Sequence, residues 1–81
     1  MNCMELEKYF GSLIRKKRNE QKITQEQLAE LVGISTTYLR GVEHGEHSVN
    51  WKSCLNICMA LQLDINEIMN KVKAYNDQIY S

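Results

Sequence analysis

Residues 24–45, TQEQLAELVGISTTYLRGVEHG, contain the pattern that decides the fold. Thr24 has the side chain of a preferred helix N-cap, and Gln27 stands three residues later, where it completes a capping box. Gly33 is suited to end this helix, because glycine adopts the left-handed conformation without a Cβ clash. The pattern therefore predicts a short helix that begins after Thr24 and stops at Gly33.

The second half of the same stretch predicts another short helix that crosses the first. Ser35 is a suitable N-cap, and we expect the helix to run to about His44 and to stop at Gly45. Ala29 lies four residues before the turn glycine, where two helices that cross at a steep angle need a small side chain. The positions expected to face inward are Leu28, Leu31, Val32, Ile34, Leu39 and Val42. Together these features predict a helix-turn-helix from Gln25 to Glu43.

The rest of the chain also has helical periodicity, without β alternation or proline. We expect a first helix from about Glu5 to Gln21, which Gly11 weakens modestly. Asn50 is suited to cap a fourth helix, and Asp64 or Asn66 to open a fifth. The apolar residues assigned to the fourth helix are Leu55, Cys58, Met59 and Leu61. With 81 residues and 43% hydrophobic content, the chain is expected to form one compact all-α, five-helix domain over residues 1–81.

Several other classes of protein do not fit the composition. Cys3, Cys54 and Cys58 lack the paired spacing of a zinc site, so neither a metal nor a cofactor is expected. No secretory signal is recognisable, and no stretch approaches the roughly 20 apolar residues of a membrane span, so a reducing cytoplasm fits best. Serine, histidine and aspartate occur as scattered single residues without a catalytic motif, so the chain is not expected to be an enzyme.

Charge is balanced overall but uneven along the chain. The net charge is zero, which by itself argues mildly against a nucleic-acid-binding protein. Residues 1–22 nevertheless hold six of the ten basic residues against three acidic ones, and Arg15 to Arg18 are consecutive cations. A local phosphate-binding patch is one interpretation of this run, and a solvated helix face is the other.

The sequence resembles the phage-repressor-like (Xre-type) helix-turn-helix family. The segments that carry the resemblance are IRKKRNEQKITQEQLAELVGISTTYLRGVEHG (residues 14–45) and LNICMALQLDINEIM (residues 55–69). The small size and the segment TTYLRGVEHG look most like the controller proteins of restriction-modification systems. The resemblance implies a five-helix domain that binds operator DNA as a dimer.

The resemblance also implies a partly buried ion pair between Arg18 of the first helix and Glu43 at the end of the third. Such a pair would tie the first helix to the helix that reads DNA. Removing one partner of a buried pair costs about 3 to 5 kcal/mol, because it leaves an unpaired charge. The alternative is a surface salt bridge, which contributes less than about 1 kcal/mol.

Three residues of the third helix are candidates for reading DNA bases. If this helix enters the major groove, its first turn and the next turn face the base edges, which selects Thr36, Thr37 and Arg40. The guanidinium of Arg40 can bind O6 and N7 of guanine together, a contact that discriminates between bases by about 1 to 3 kcal/mol. A phosphate contact or a solvent-facing side chain is the alternative for Arg40.

A second group of residues is expected at the phosphate backbone. Gln25 begins the second helix, where the dipole and the backbone N–H groups attract phosphate. The hydroxyl of Tyr38 is expected at a phosphate or groove edge, with ordinary half-burial as the alternative. His44 and His47 stand where related controllers carry arginine, and neutral histidine would attract phosphate more weakly. The complete set of phosphate-contacting candidates is Gln25, Tyr38, His44, His47, Ser48 and Arg15.

The fifth helix carries an apolar stripe that has little left to pack against in one chain. Its members are Ile65, Ile68, Met69, Val72, Tyr75 and Ile79. We expect Leu63, Ile65, Ile68 and Met69 to form a dimer interface, with completion of the monomer core as the alternative.

These features predict a sequence-specific regulator of transcription that binds double-stranded DNA as a homodimer on a near-palindromic operator. Its partners would be DNA, a second copy of the chain, and RNA polymerase if it activates transcription, with no membrane. The competing interpretation is a protein-interaction module of the same fold, such as an antitoxin-like partner. An interaction surface would show exposed aromatic or apolar anchors on the third helix.

Overall fold

The computed structural model describes residues 3–80, except for the side chains of Cys3, Met4, Tyr75 and residues 78–80. The described residues form five helices and no strand, which confirms the predicted all-α class. The helices are α1 (Cys3–Glu20), α2 (Gln25–Val32), α3 (Thr36–Glu43), α4 (Trp51–Leu61) and α5 (Ile65–Tyr80). The Tyr75 and Ile79 positions of the predicted α5 stripe lie outside the described side chains.

Local capping determines where the helices of the central motif begin and end. The hydroxyl of Thr24 accepts a bond from the backbone N–H of Gln27 at 3.1 Å, and the Gln27 side chain accepts one from the Thr24 N–H at 2.9 Å. Gly33 ends α2 in the left-handed region with φ 75°. Ser35 and Asn50 cap α3 and α4 through their side-chain oxygens, as predicted. These four residues therefore set the predicted starts of α2, α3 and α4 and the predicted end of α2.

One apolar core joins α1, α2, α3 and α4. Its largest fully buried side chains are Ile14, Leu28, Leu39, Val42, Ile57 and Leu61. Ala29 is also buried, at the crossing of α2 with its neighbours, where the sequence predicted a small side chain. The inner edge of α3 is thereby fixed by Leu39 and Val42, which leaves its opposite edge toward solvent.

Gly11 is a contact point between helices rather than a simple weak point of α1. A Cβ at this position would lie 2.7 Å from the carbonyl oxygen of Glu43 and closer still to that of Val42. Both oxygens belong to the backbone of the last turn of α3, so they cannot move aside easily. The missing side chain lets α1 approach the end of α3 directly.

Some apolar residues do not lie where the sequence predicted. Leu31 was expected on the inner stripe of α2 but is 67% exposed, and Met59 of α4 is 77% exposed. Conversely, Leu63 was expected in a dimer interface but is only 9% exposed and belongs to the core of the single chain. The helices are short, so a small rotation about each axis decides which of two adjacent apolar residues is buried.

Within residues 3–80, no helix combines the length and the apolar character that crossing a bilayer requires.

Gly11→Ala adds a methyl that overpacks the contact with α3, and overpacking of this kind costs about 1 to 3 kcal/mol. The cost should lie toward the upper end of this range, because the atoms met are backbone atoms. It should therefore exceed the gain of about 1 kcal/mol that alanine brings to a helix interior and leave the variant less stable. Urea unfolding followed by circular dichroism measures the difference, with Ser12→Ala at the adjacent exposed position as the control. Equal or greater stability of the Gly11→Ala variant would contradict a tight contact at this point.

Candidate nucleic-acid interface

The outer edge of α3 is open to solvent in the part that the sequence assigned to base reading. Thr37 and Arg40 are exposed, and Thr36 is half-buried. On the inner edge, Leu39 and Val42 are buried in the core. No large hydrophobic residue is exposed on α3, whose eight residues are all described. The geometry leaves small polar side chains and one arginine on the face that would enter a groove.

Arg18 and Glu43 form an ion pair between α1 and the end of α3. Nε of Arg18 donates to Oε2 of Glu43 at 2.8 Å, and Nη2 donates to Oε1 at 3.0 Å. The Glu43 side chain is completely buried and that of Arg18 is 12% exposed. A third bond runs from Nη1 of Arg18 to the carbonyl oxygen of Ile23 at 3.0 Å. The buried form of the pair, rather than a surface bridge, is therefore present.

Two of the residues expected to contact phosphate lie against the same carboxylate. The amide nitrogen of Gln25 donates to Oε1 of Glu43 at 3.2 Å. Nε of Arg15 lies 3.9 Å from the same oxygen, and its Nη2 donates to the Glu43 carbonyl oxygen at 3.5 Å. The sequence did not predict that Gln25 or Arg15 would contact the buried pair. Contacts with Glu43 therefore orient both side chains before any ligand binds.

The loop between α3 and α4 is attached to α3 and to α1. The hydroxyl of Tyr38 donates to the carbonyl oxygen of Ser48 at 3.2 Å, and the Ser48 hydroxyl donates to a carboxylate oxygen of Glu7 at 2.7 Å. The ring of His47 stacks on Tyr38, with centroids 6.1 Å apart. It also lies against Gly41, where a Cβ would collide with the imidazole. The structure therefore gives Tyr38 and Ser48 roles in holding the loop.

Sequence reasoning missed two residues of this region. Lys8 is exposed, and its stem packs against Gly45 at the start of the loop. Glu7 is the acceptor that holds Ser48. For Lys8 the available signal was helical spacing, because it lies on the same face of α1 as Gly11, Arg15 and Arg18.

The described cysteines behave as small apolar residues. Burial raises the pKa of the Cys58 thiol to about 11, and burial also raises the pKa of Cys54. Both thiols therefore stay protonated near neutral pH, which is the form that neither attacks electrophiles nor binds metal. In the described part of the chain, no three histidine, cysteine or acidic residues cluster closely enough to hold a metal ion.

Comparison with known proteins identifies the family. A family model described as Helix-turn-helix matches residues 14–68, more than half of the chain. The chain belongs to the Xre-type helix-turn-helix family. This family consists of DNA-binding regulators, and the matched residues include the whole of α2, α3 and α4. The resemblance recognised from the sequence is thereby confirmed.

Two curated proteins and one solved structure are similar to the chain. The ImmF control region 10 kDa protein of Bacillus phage phi105 is 36% identical over 59 residues, which are 73% of this chain and 66%, just under two thirds, of the phage protein. Control protein C.SmaI of Serratia marcescens is 28% identical over 75 residues, 93% of this chain and 89% of that protein. The clp gene regulator ClgR of Corynebacterium glutamicum superposes with a TM-score of 0.74 at 22% identity, covering 91% of this chain and 85% of ClgR. The ClgR match shows a shared fold.

Arg18→Met should destabilise the protein by about 3 to 5 kcal/mol, because the Glu43 carboxylate would stay buried without its main partner. The double variant Arg18→Met/Glu43→Met should recover most of this loss, since two apolar side chains can replace a buried pair. Urea unfolding measures both. Lys17→Met is the matched control: its 3.8 Å pair with Glu20 is exposed and should contribute less than about 1 kcal/mol. If Arg18→Met and Lys17→Met lowered the free energy of unfolding equally, the buried pair would contribute no more to stability than an exposed one.

Proposed function

We propose that this chain is a sequence-specific regulator of transcription that binds double-stranded DNA as a homodimer on a near-palindromic operator. The observation that carries the proposal is the division of α3 into two edges. Its inner edge is anchored in the core and by the buried Arg18–Glu43 pair, and its outer edge exposes Thr37 and Arg40. A rigidly held helix with a polar, partly basic outer edge has the form needed to enter a major groove.

In this proposal the outer edge of α3 reads bases. Arg40 binds a guanine through both acceptors of its major-groove edge, because the planar guanidinium matches them. Thr36 and Thr37 contact base edges near the N-terminus of the helix, through hydroxyl hydrogen bonds or a methyl contact with thymine. Because Thr36 is half-buried and Thr37 is exposed, Thr36 offers less surface to a base than Thr37 does.

Phosphate contacts on both sides of α3 would fix its register in the groove. Gln25 and Arg15 provide donors on the α2 side, and His44 and His47 are exposed on the loop side. Tyr38 and Ser48 support that side indirectly, since their polar groups already bond within the protein. Lys8 joins the same group, because it packs against the start of the loop. Such contacts orient a protein on DNA without selecting a sequence.

Exposed apolar residues favour a dimer face on α4 and the start of α5. Leu55, Met59 and Ile65 line an open groove of about 410 Å³, and Leu31 lines a neighbouring depression together with Met59. Met69 is exposed on α5, whereas Ile68 is half-buried against the core. Exposed apolar surface of this kind is a typical protein contact site. We therefore place the interface on Leu31, Leu55, Met59, Ile65 and Met69.

The interaction-module alternative receives less support from the structure. It predicted aromatic or apolar anchors on the outer edge of α3, and the exposed hydrophobic residues lie on α2, α4 and α5 instead. The apolar surface is thus separate from the candidate DNA surface. One chain can use the apolar surface to bind another copy of itself and the α3 surface to bind DNA. The two recognition helices of such a dimer would lie about one DNA turn, roughly 34 Å, apart.

The narrower proposal is a controller of a restriction-modification system. The similarity to a protein named as a control protein, over 93% of this chain, supports this assignment. A regulator of this kind acts in the cytoplasm and needs no catalytic site or cofactor. Activation would require contact with RNA polymerase, whereas repression would require only occupation of the promoter.

Arg40→Ala is expected to remove the preference for one base position and to weaken binding to the preferred site by about 1 to 3 kcal/mol. Selection of bound duplexes from a random pool, repeated with the variant, measures the preference. Arg15→Ala is the contrasting variant, because loss of a phosphate contact should weaken binding to all sequences alike. A uniform loss for Arg40→Ala would assign Arg40 to phosphate, and no binding by the unmodified protein at low salt would refute the DNA-binding proposal.

Leu55→Glu/Met59→Glu should convert the dimer to a monomer without unfolding it, because both positions are exposed in the single chain. The introduced charges would remain solvated in the monomer but would be desolvated in an interface. Sedimentation at micromolar concentration measures the state, and Asn70→Glu on exposed α5 is the control. A variant that sediments as the wild type does would exclude this face.

A further inference from the structure

The Glu43 carboxylate is the meeting point of three side chains from two helices. Arg18 donates to both of its oxygens, at 2.8 and 3.0 Å. Gln25 donates to Oε1 at 3.2 Å, and Nε of Arg15 lies 3.9 Å from the same oxygen. Arg15 and Gln25 belong to different helices, α1 and α2, yet a single oxygen atom of α3 brings them together.

The charges at this point do not cancel. One carboxylate faces two guanidinium groups, and the buried Arg18 has the closer, two-bond contact. Arg15 is farther from the carboxylate and its side chain is 48% exposed. The surplus positive charge therefore lies at the surface, on Arg15, next to the amide of Gln25.

The bond to Glu43 also decides how the Gln25 amide is oriented. A carboxylate only accepts hydrogen bonds, so the amide must turn its nitrogen, not its oxygen, toward Glu43. The amide nitrogen carries a second hydrogen. Among the residues that the structure describes, Glu43 is the one partner of this amide. A donor of fixed position thus stays open for an acceptor from outside.

We propose that Glu43 is a positioning residue for DNA binding, which gathers Arg15 and Gln25 into a site for one backbone phosphate. The proposal rests on the DNA-binding function proposed above and adds to it that both residues contact the same phosphate. The guanidinium supplies charge and the amide supplies a neutral donor, a pair that fits the two unesterified oxygens of a phosphodiester. Glu43 touches no DNA in this arrangement and acts through the two side chains that it holds.

The experiment replaces each phosphate of the selected operator, one at a time, with a neutral methylphosphonate. For the unmodified protein, substitution at the shared phosphate should weaken binding by about tenfold, since a charge-assisted contact is lost. Arg15→Ala and Gln25→Ala should each bind the normal operator more weakly. In both variants, methylphosphonate substitution at the shared phosphate should no longer weaken binding much, whereas substitution at the other positions should weaken it as before.

The salt dependence separates the two roles. Arg15→Ala should reduce the slope of log K against log salt by about one unit, because one cation fewer neutralises phosphate. Gln25→Ala should leave the slope unchanged, because the amide carries no charge. Lys16→Ala removes an exposed cation from the next position of α1 and is the matched control, which should keep the sensitivity of the shared phosphate.

The role of Glu43 is tested in the Arg18→Met/Glu43→Met background, which keeps an apolar contact between the helices. Leu39 and Val42 still anchor α3 in the core of this variant, so it should retain the base preference set by Arg40 but lose its sensitivity at the shared phosphate. Glu43→Gln is the second variant, in which the new amide also offers donors and no longer fixes the orientation of Gln25. It should reduce that sensitivity while the other positions remain unchanged.

Two results would overturn the proposal. Arg15→Ala and Gln25→Ala could change the sensitivity to methylphosphonate at different phosphates. That result would show that the two residues contact separate phosphates, and neither variant removes the Arg18–Glu43 pair. Alternatively, a folded Glu43 variant could show the wild-type pattern of phosphate sensitivity. Both outcomes differ from failure of the proposed function itself, in which the unmodified protein would bind no duplex.

Discussion

The buried ion pair between Arg18 and Glu43 is the interaction on which the arrangement of the candidate interface depends. The carboxylate is completely buried, so its charge is screened little by water and needs the partner that α1 provides. The pair joins α1 to the last turn of α3, and the same guanidinium bonds the carbonyl oxygen of Ile23 in the segment before α2. One arginine thereby fixes three parts of the chain around the edge that we assign to DNA.

The contact of α1 with α3 requires a particular face of α1. Gly11 lets the two backbones approach, and Arg18, about two helical turns further along α1, bonds the Glu43 carboxylate. Arg15 lies between them and points its charge toward the surface. Lys8 extends the same face to the start of the loop after α3. Residues that hold α3 and exposed cations therefore alternate on a single stripe, which explains how a protein of zero net charge can present a local basic surface.

The loop after α3 shows why a list of polar residues does not by itself define a binding surface. Tyr38 and Ser48 have hydroxyls that suit phosphate, but both hydroxyls bond other parts of the protein. His47 stacks on Tyr38 over the space left by Gly41, and stays exposed. The loop is thus held in place before DNA arrives, which lowers the conformational entropy that binding would cost.

The sequence by itself determined the five-helix class, the family and most helix boundaries. These features are local: Thr24, Gly33, Ser35 and Asn50 act on backbone groups within three or four residues of themselves. Only the tertiary structure decided the rest. It buried Leu63 but exposed Leu31 and Met59, and it brought Arg15 and Gln25 onto Glu43. These outcomes depend on how each helix is rotated and crossed against its neighbours, and periodicity along one helix does not encode a contact with another.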